Sequence, residues 1–119
     1  MKIKRGQIWY IDNSKIKNNE DHTQAGIRPW VILSNDRANK HSPFISAIPL
    51  TCAEKKPLPT HCQVGVGENN CIALCEQVQL INKYKLVRYV SDINPNELQD
   101  VESCIMIQLG LASLPEIYM

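Results

Sequence analysis

Short runs of apolar residues, closed by turn residues, fill most of the chain up to Ser91, and near the C-terminus the apolar spacing becomes that of a helix. Gln7-Ile8-Trp9-Tyr10-Ile11-Asp12 places Ile8 and Tyr10 on one face of a strand and Trp9 and Ile11 on the other. Residues 13–23 are polar and without periodicity, which predicts a long loop. Trp30-Val31-Ile32-Leu33 runs unbroken between Pro29 and the stop at Ser34-Asn35-Asp36, so a strand over 29–34 buried on both faces is expected. Asn35 to Lys40 suits a short helical turn that His41-Ser42-Pro43 breaks. Phe44 to Thr51 is the next strand, and Pro49 argues for an edge or a bulge near that point. Cys52 to Pro59 reads as a loop, Thr60 to Val64 as a short strand and Gly65 to Asn70 as a turn. Cys71 to Ile81 reads as one long strand, and Lys83 to Ser91 holds another around Val87 and Tyr89.

The last element is a helix with Asn94 as N-cap, Pro95 at the first helical position and Glu97 completing a pattern like a capping box. Leu98, Val101, Ile105 and Leu109 share one face, and Gly110 is the stop. A mainly β chain with one C-terminal helix, α+β in class, predicts a small closed barrel. One residue disturbs the pattern. Ile72, Leu74, Val78 and Leu80 share a parity, and Glu76 falls among them. A carboxylate on that face requires either a partner, such as Arg28 or Arg88, or a bulge that turns Glu76 and Gln77 into a cleft.

Composition bounds the rest. The 119 residues, 44% hydrophobic and 21% charged, suit a single globular domain spanning 1–119. No apolar stretch follows Met1-Lys2-Ile3-Lys4-Arg5 as in a signal peptide, and no run approaches membrane-spanning length. The five cysteines, 52, 62, 71, 75 and 104, form no C-x-x-C pair and lack zinc spacing, so reduced and mostly buried thiols in a cytoplasmic protein are expected. The net charge of +1 conceals an asymmetry: residues 1–90 hold all 13 Lys and Arg against seven acids, whereas residues 91–119 hold five acids and no Lys or Arg. A basic body with an acidic C-terminal segment can bind a polyanion on one side, although a solvated acidic helix face has the same signature. There is no Walker loop, dinucleotide fingerprint, HExxH or GxSxG, and His22, His41 and His61 are scattered.

Arg28 stands between Gly26-Ile27 and Pro29, and proline biases it toward an extended backbone at the mouth of a rigid strand. That placement suits a group holding an anion in fixed geometry, although an arginine that merely precedes a strand is the simpler reading of this stretch alone. The wider order of motifs changes the balance. Arg5-Gly6-Gln7-Ile8-Trp9, Gln24-Ala25-Gly26-Ile27-Arg28-Pro29, Leu33-Ser34-Asn35-Asp36, Ser42-Pro43, Leu58-Pro59-Thr60-His61, Ala73-Leu74-Cys75-Glu76-Gln77 and the Pro95 helix follow one another in sequence. Together they resemble the MazF/PemK family of toxin endoribonucleases, over residues 4 to 111.

The resemblance implies an SH3-like barrel, a homodimer, cofactor-free and metal-independent cleavage of single-stranded RNA at short sequences, and neutralisation by a small MazE-like antitoxin. It places the family's catalytic arginine at Arg28 and its threonine at Thr51. His22 and Glu76 are then the candidate bases, and Gln24, Asn35, Lys55, Lys56 and Gln77 the residues expected to touch RNA. The chain also departs from the family pattern. The usual loop glutamate is Thr23, an arginine found in certain members is Leu74, their aspartate is Glu76, and the usual valine is Trp30. Two other functions fit the same barrel: a weakly catalytic relative that still binds RNA and antitoxin, and a gyrase-poisoning toxin. RNA cleavage separates the first reading from both, and a gyrase poison has no evident need of Arg28 and Thr51.

Overall fold

The computed structural model describes residues 2–14 and 26–114. Its strands are β1 (Gln7–Asp12), β2 (Ile27–Ile32), β3 (Phe44–Thr51), β4 (His61–Val66), β5 (Asn69–Leu74), β6 (Gln79–Asn82) and β7 (Leu86–Asp92). Helix α1 (Asp36–His41) joins β2 to β3, and α2 (Pro95–Gln108) follows β7. The strand order is β4-β5-β3-β2-β1-β7, with β6 added on β3, and every pairing is antiparallel. The order ends at β4 and β7, so among the described residues the sheet is a curled half-barrel rather than a closed one.

Alternation along the strands builds two cores. Ile8, Val31, Ile48, Leu50, Val64 and Ala73 bury one face, where Val101 and Cys104 of α2 cover them. Ile11, Trp30, Ile32, Ile45, Ala47 and Ile81 bury the other. The central strand is β3, which contradicts an edge position for Pro49. A proline is tolerated there because β3 changes neighbours beside it: Phe44 to Ala47 pair with β6, whereas Leu50 and Thr51 pair with β5.

The expected strand from Cys71 to Ile81 is broken by a single 3-10 turn, Cys75–Gln77. Ala73 faces Leu50, and on an uninterrupted register Ala47 would face Glu76; it faces Gln79 instead. Three residues have been looped out of the ladder. An odd insertion exchanges the faces of everything after it. Ile81 therefore enters the core at 2% exposure and Leu80 stands out at 68%.

The turn before β5 is also shorter than expected. Strand β4 continues to Val66, and Gly67-Glu68 alone close the hairpin. Gly67 has φ +61 and Glu68 does not take a positive φ, the II′ pattern that matches strand twist.

Helix α1 has the expected place, with the Asn35 side chain accepting from the Ala38 N–H. In α2 the Asn94 side chain accepts from the Asn96 N–H at 2.8 Å. Glu97 does not fold back on the cap as a capping box requires; its two oxygens accept from the Gly65 N–H at 3.1 and 3.2 Å, tying α2 to β4. The buried face of α2 carries Val101 and Cys104, with Leu98 and Ile105 partly buried, while Leu109 is exposed. Leu109 is the C-cap, and the two bonds from Gly110 N–H to Ile107 O and Leu111 N–H to Met106 O form a Schellman stop around Gly110 at φ +75. Replacing Asn94 by Ala removes one cap acceptor and should lower stability by about 1 kcal/mol. The urea midpoint should fall with an unchanged slope; an unaltered midpoint would show that the cap contributes nothing to the folded state.

Candidate functional site

The looped-out turn and the segment 52–60 enclose a hollow on the face opposite α2. It has a volume of about 260 Å³ and is lined by Lys55, Lys56, Leu58, His61, Glu76 and Gln77 above the buried Leu74. A second hollow of about 250 Å³ continues it past Lys55 and His61 to Gln63 and Ile72. The sheet register explains the shared face. His61 faces Leu74, Gln63 faces Ile72, and Ile72 faces Thr51, so these residues have one parity across three strands. Their neighbours Cys62, Ala73 and Leu50 have the other and enter the α2 side of the sheet.

Glu76 is neither buried against an arginine nor left on an apolar face. The 3-10 turn carries it into the hollow, where its Oε2 lies 2.8 Å from His61 Nε2. An ionised carboxylate only accepts, so with Glu76 ionised the donor of that bond is Nε2–H. The Thr60 hydroxyl donates to Glu76 Oε1 at 3.4 Å. The His61 side chain is 9% exposed and that of Glu76 30%. His61 Nδ1 is buried without a hydrogen-bond partner among the described residues. Arg88, the other proposed partner of Glu76, lies over the Tyr10 ring at 4.7 Å.

Thr51 ends β3 and is 4% exposed; its Oγ1 accepts from the Ala53 N–H at 3.2 Å, which leaves the hydroxyl proton to be donated. Arg28 is exposed near the start of β2 and faces Ile11 of β1. Trp30 pairs with Pro49, and the same register extended two residues outward sets Arg28 opposite Thr51.

Of the residues singled out in the sequence, Lys55, Lys56, Glu76 and Gln77 line the hollow, Thr51 shares its face by strand register, and Arg28 has the same parity near the outer end of β2. Asn35 does not join them; it caps α1 beyond the opposite end of β2. His22, Thr23 and Gln24 lie outside the described residues. His61 went unassigned in the sequence, although Glu76 two strand positions away across the hairpin from it was singled out. Only the register, with His61 facing Leu74, shows that a turn beginning at Cys75 will hand Glu76 to it.

Behind this face, on the α2 side, Cys62, Cys75 and Cys104 bring their sulfurs within 4.8 Å of one another. Hydrogen bonding from Cys75 draws the Cys62 thiol below its ordinary pKa. Bonding to Cys62, and then burial, push Cys75 up. Burial first, and then Cys62, push Cys104 up to about 12. All five cysteines are free thiols; Cys71, Cys75 and Cys104 are buried, and Cys52 is exposed.

Known proteins share both sequence and shape with this chain. It is 29% identical over 117 residues to the endoribonuclease MazF of Staphylococcus saprophyticus, covering 94% of this chain and 95% of that protein. MazF of Deinococcus radiodurans superposes with a TM-score of 0.79 at 18% identity, covering 92% of this chain and 98% of the other. A mycobacterial endoribonuclease, solved in complex with its cognate antitoxin, gives 0.75 at 22% identity, covering 94% and 99%. The curled sheet with its C-terminal helix is the architecture common to these structures. Residues 4–109 match the model of a single family, and the chain belongs to it: the PemK-like, MazF-like toxins of type II toxin–antitoxin systems.

Proposed function

We propose that the protein is a toxin endoribonuclease that cuts single-stranded RNA by attack of a neighbouring 2′-hydroxyl, and that an antitoxin silences it by covering the same face. The observation that carries this reading is the His61–Glu76 pair in the lysine-lined hollow, on the sheet face that Thr51 shares by register and toward which the β2–β3 register, continued past Trp30–Pro49, would bring Arg28. Attack of the 2′-oxygen on phosphorus passes through a phosphorane with added negative charge. A guanidinium and a hydroxyl donor fixed at the ends of adjacent strands stabilise that charge without rearranging. Glu76 takes the 2′-hydroxyl proton and His61 positions it, while the departing 5′-oxygen takes its proton from solvent water and accepts a hydrogen bond from Arg28 as its charge builds. Arginine stays protonated at neutral pH, so it serves as donor and not as base. Lys55 and Lys56 contribute positive charge along the hollow for the flanking phosphates.

The antitoxin reading rests on a structural neighbour solved with its cognate antitoxin. Action as a homodimer in the cytoplasm is part of the same proposal, and family membership and unpaired cysteines support it. No helix among the described residues is long and apolar enough to cross a membrane.

Incubation with a mixed single-stranded RNA pool in EDTA, followed by sequencing of the ends, tests the chemistry. Products should carry 2′,3′-cyclic phosphate and 5′-hydroxyl, and RNA with 2′-deoxyribose at the cut should be inert. Activity that requires Mg²⁺ and leaves 5′-phosphates would sink the mechanism.

Arg28→Ala should lower cleavage by about 10²–10³-fold, the usual loss for one transition-state donor. Thr51→Val, nearly isosteric, should also lower it. Both variants should remain folded and bind antitoxin. Wild-type cleavage by Arg28→Ala would remove Arg28 from the site.

The base is tested by pH–rate profiles at saturating RNA for wild type, Glu76→Gln, His61→Gln and His22→Gln. Glu76→Gln should abolish the ascending limb, His61→Gln should displace it, and His22→Gln should leave it in place. Loss of the limb in His22→Gln, with Glu76→Gln unchanged, would assign the base to His22 instead.

A further inference from the structure

Three thiols from three separated parts of the chain meet on the α2 side of the sheet: Cys62 from β4, Cys75 from the 3-10 turn and Cys104 from α2. Two of them are buried and Cys62 is half-buried. Their sulfurs are all within 4.8 Å of one another. A thiolate–metal bond of about 2.3 Å sets three sulfurs about 4 Å apart around one ion, so rotation of these side chains by under about 1 Å completes the geometry. The turn that puts Cys75 there also carries Glu76 into the hollow, and Cys62 follows His61 directly.

We infer that Cys62, Cys75 and Cys104 form a three-thiolate site for a soft, thiophilic cation of low coordination number, of the class of Cu⁺. Thiolate selects soft cations over Mg²⁺, Ca²⁺ or Mn²⁺. Among the described residues no fourth His, Cys, Asp or Glu joins the cluster, and burial of Cys75 and Cys104 disfavours the open fourth position that tetrahedral Zn²⁺ fills with water. The cation displaces the thiol protons into solvent and leaves sulfur unoxidised. It joins β4, the turn and α2 from behind the hollow. It does not belong to the proposed cleavage chemistry, so its presence or absence is independent of that reading.

Reduced full-length protein titrated anaerobically with Cu⁺ against a chromogenic Cu⁺ chelator tests the site. One equivalent should be withheld from the chelator, with a thiolate-to-copper charge-transfer band in the ultraviolet and a raised melting temperature. Cys104→Ala and Cys62→Ser should each lose that equivalent, and Cys52→Ala should keep it. Circular dichroism confirms folding, and Cys62→Ser, at the half-buried position, remains informative should Cys104→Ala fail to fold. Chelator removal of all copper from wild type would overturn the proposal. So would retention of the equivalent in a folded Cys62→Ser or Cys104→Ala variant. A wild-type mass lower by two hydrogens without bound copper would overturn it in favour of a disulfide.

Discussion

The looping-out of Cys75-Glu76-Gln77 from the ladder along β3 governs much of this molecule. Strand pairing fixes faces by parity, and an excursion of three residues reverses it. Everything on the far side changes place at once. Ile81 goes inward and Leu80 outward, Glu76 leaves the sheet for the hollow, and Pro49 finds a stretch of β3 where its missing donor is tolerated. The turn is held by a backbone bond at each end: Cys75 N–H donates to Thr60 O at 3.1 Å, and Val78 N–H to Cys75 O at 3.3 Å. The first of these is accepted by Thr60, the residue immediately before His61. One backbone feature therefore positions both partners of the His61–Glu76 pair.

Much of the fold was legible because binary patterning reports burial directly. Strand β1, the Asn94 cap of α2 and the Gly110 stop rest on local chemistry, and the structure keeps them. The failures share a physical origin. The Cys71–Ile81 run is compatible with one strand or two, since its apolar residues occur at both parities around Gln77 and Gln79. Which one forms depends on the partner register, a long-range property. Glu97 was assigned to the N-cap by spacing, yet a backbone N–H from β4 outcompetes the cap for its oxygens. Leu109 has the right spacing for the buried face, but it falls where the helix ends and the Schellman turn begins.

The candidate site divides along the same line. Glu76 was singled out by its parity conflict, and the two outcomes weighed for it were an arginine partner or exposure in a cleft. The cleft prevailed, with histidine as the partner. A fully buried ion pair would have cost desolvation of both charges, whereas a carboxylate at 30% exposure keeps part of its hydration. Such a group remains accessible to a ligand proton and is still oriented by two hydrogen bonds, from His61 and Thr60. Arg28 and Thr51, 23 positions apart, were joined in the sequence by resemblance alone; the β2–β3 register, continued past Trp30–Pro49, would set them opposite each other. Neither residue type nor local spacing could have specified that.

The charge asymmetry acquires a structural meaning of the same kind. The acids of α2 are not all free to form a repulsive surface. Glu97 is committed to the Gly65 N–H, and Glu102 pairs with Arg5 at 2.9 Å. The latter pair is about one-third exposed on the Arg5 side and is worth at most about 1 kcal/mol. Its arginine also donates to Leu33 O, so it joins α2 to the end of the β2 segment. Thus two acids of α2 help to dock the helix, one on a backbone N–H of β4 and one on Arg5. Lys55 and Lys56 stand on the opposite side of the sheet, in the hollow with His61, where their field meets an approaching polyanion before the helix acids do. The helix is thus held through Arg5 and the Gly65 N–H, and Lys55 and Lys56 stay in the hollow on the other face, where a phosphate chain would meet them.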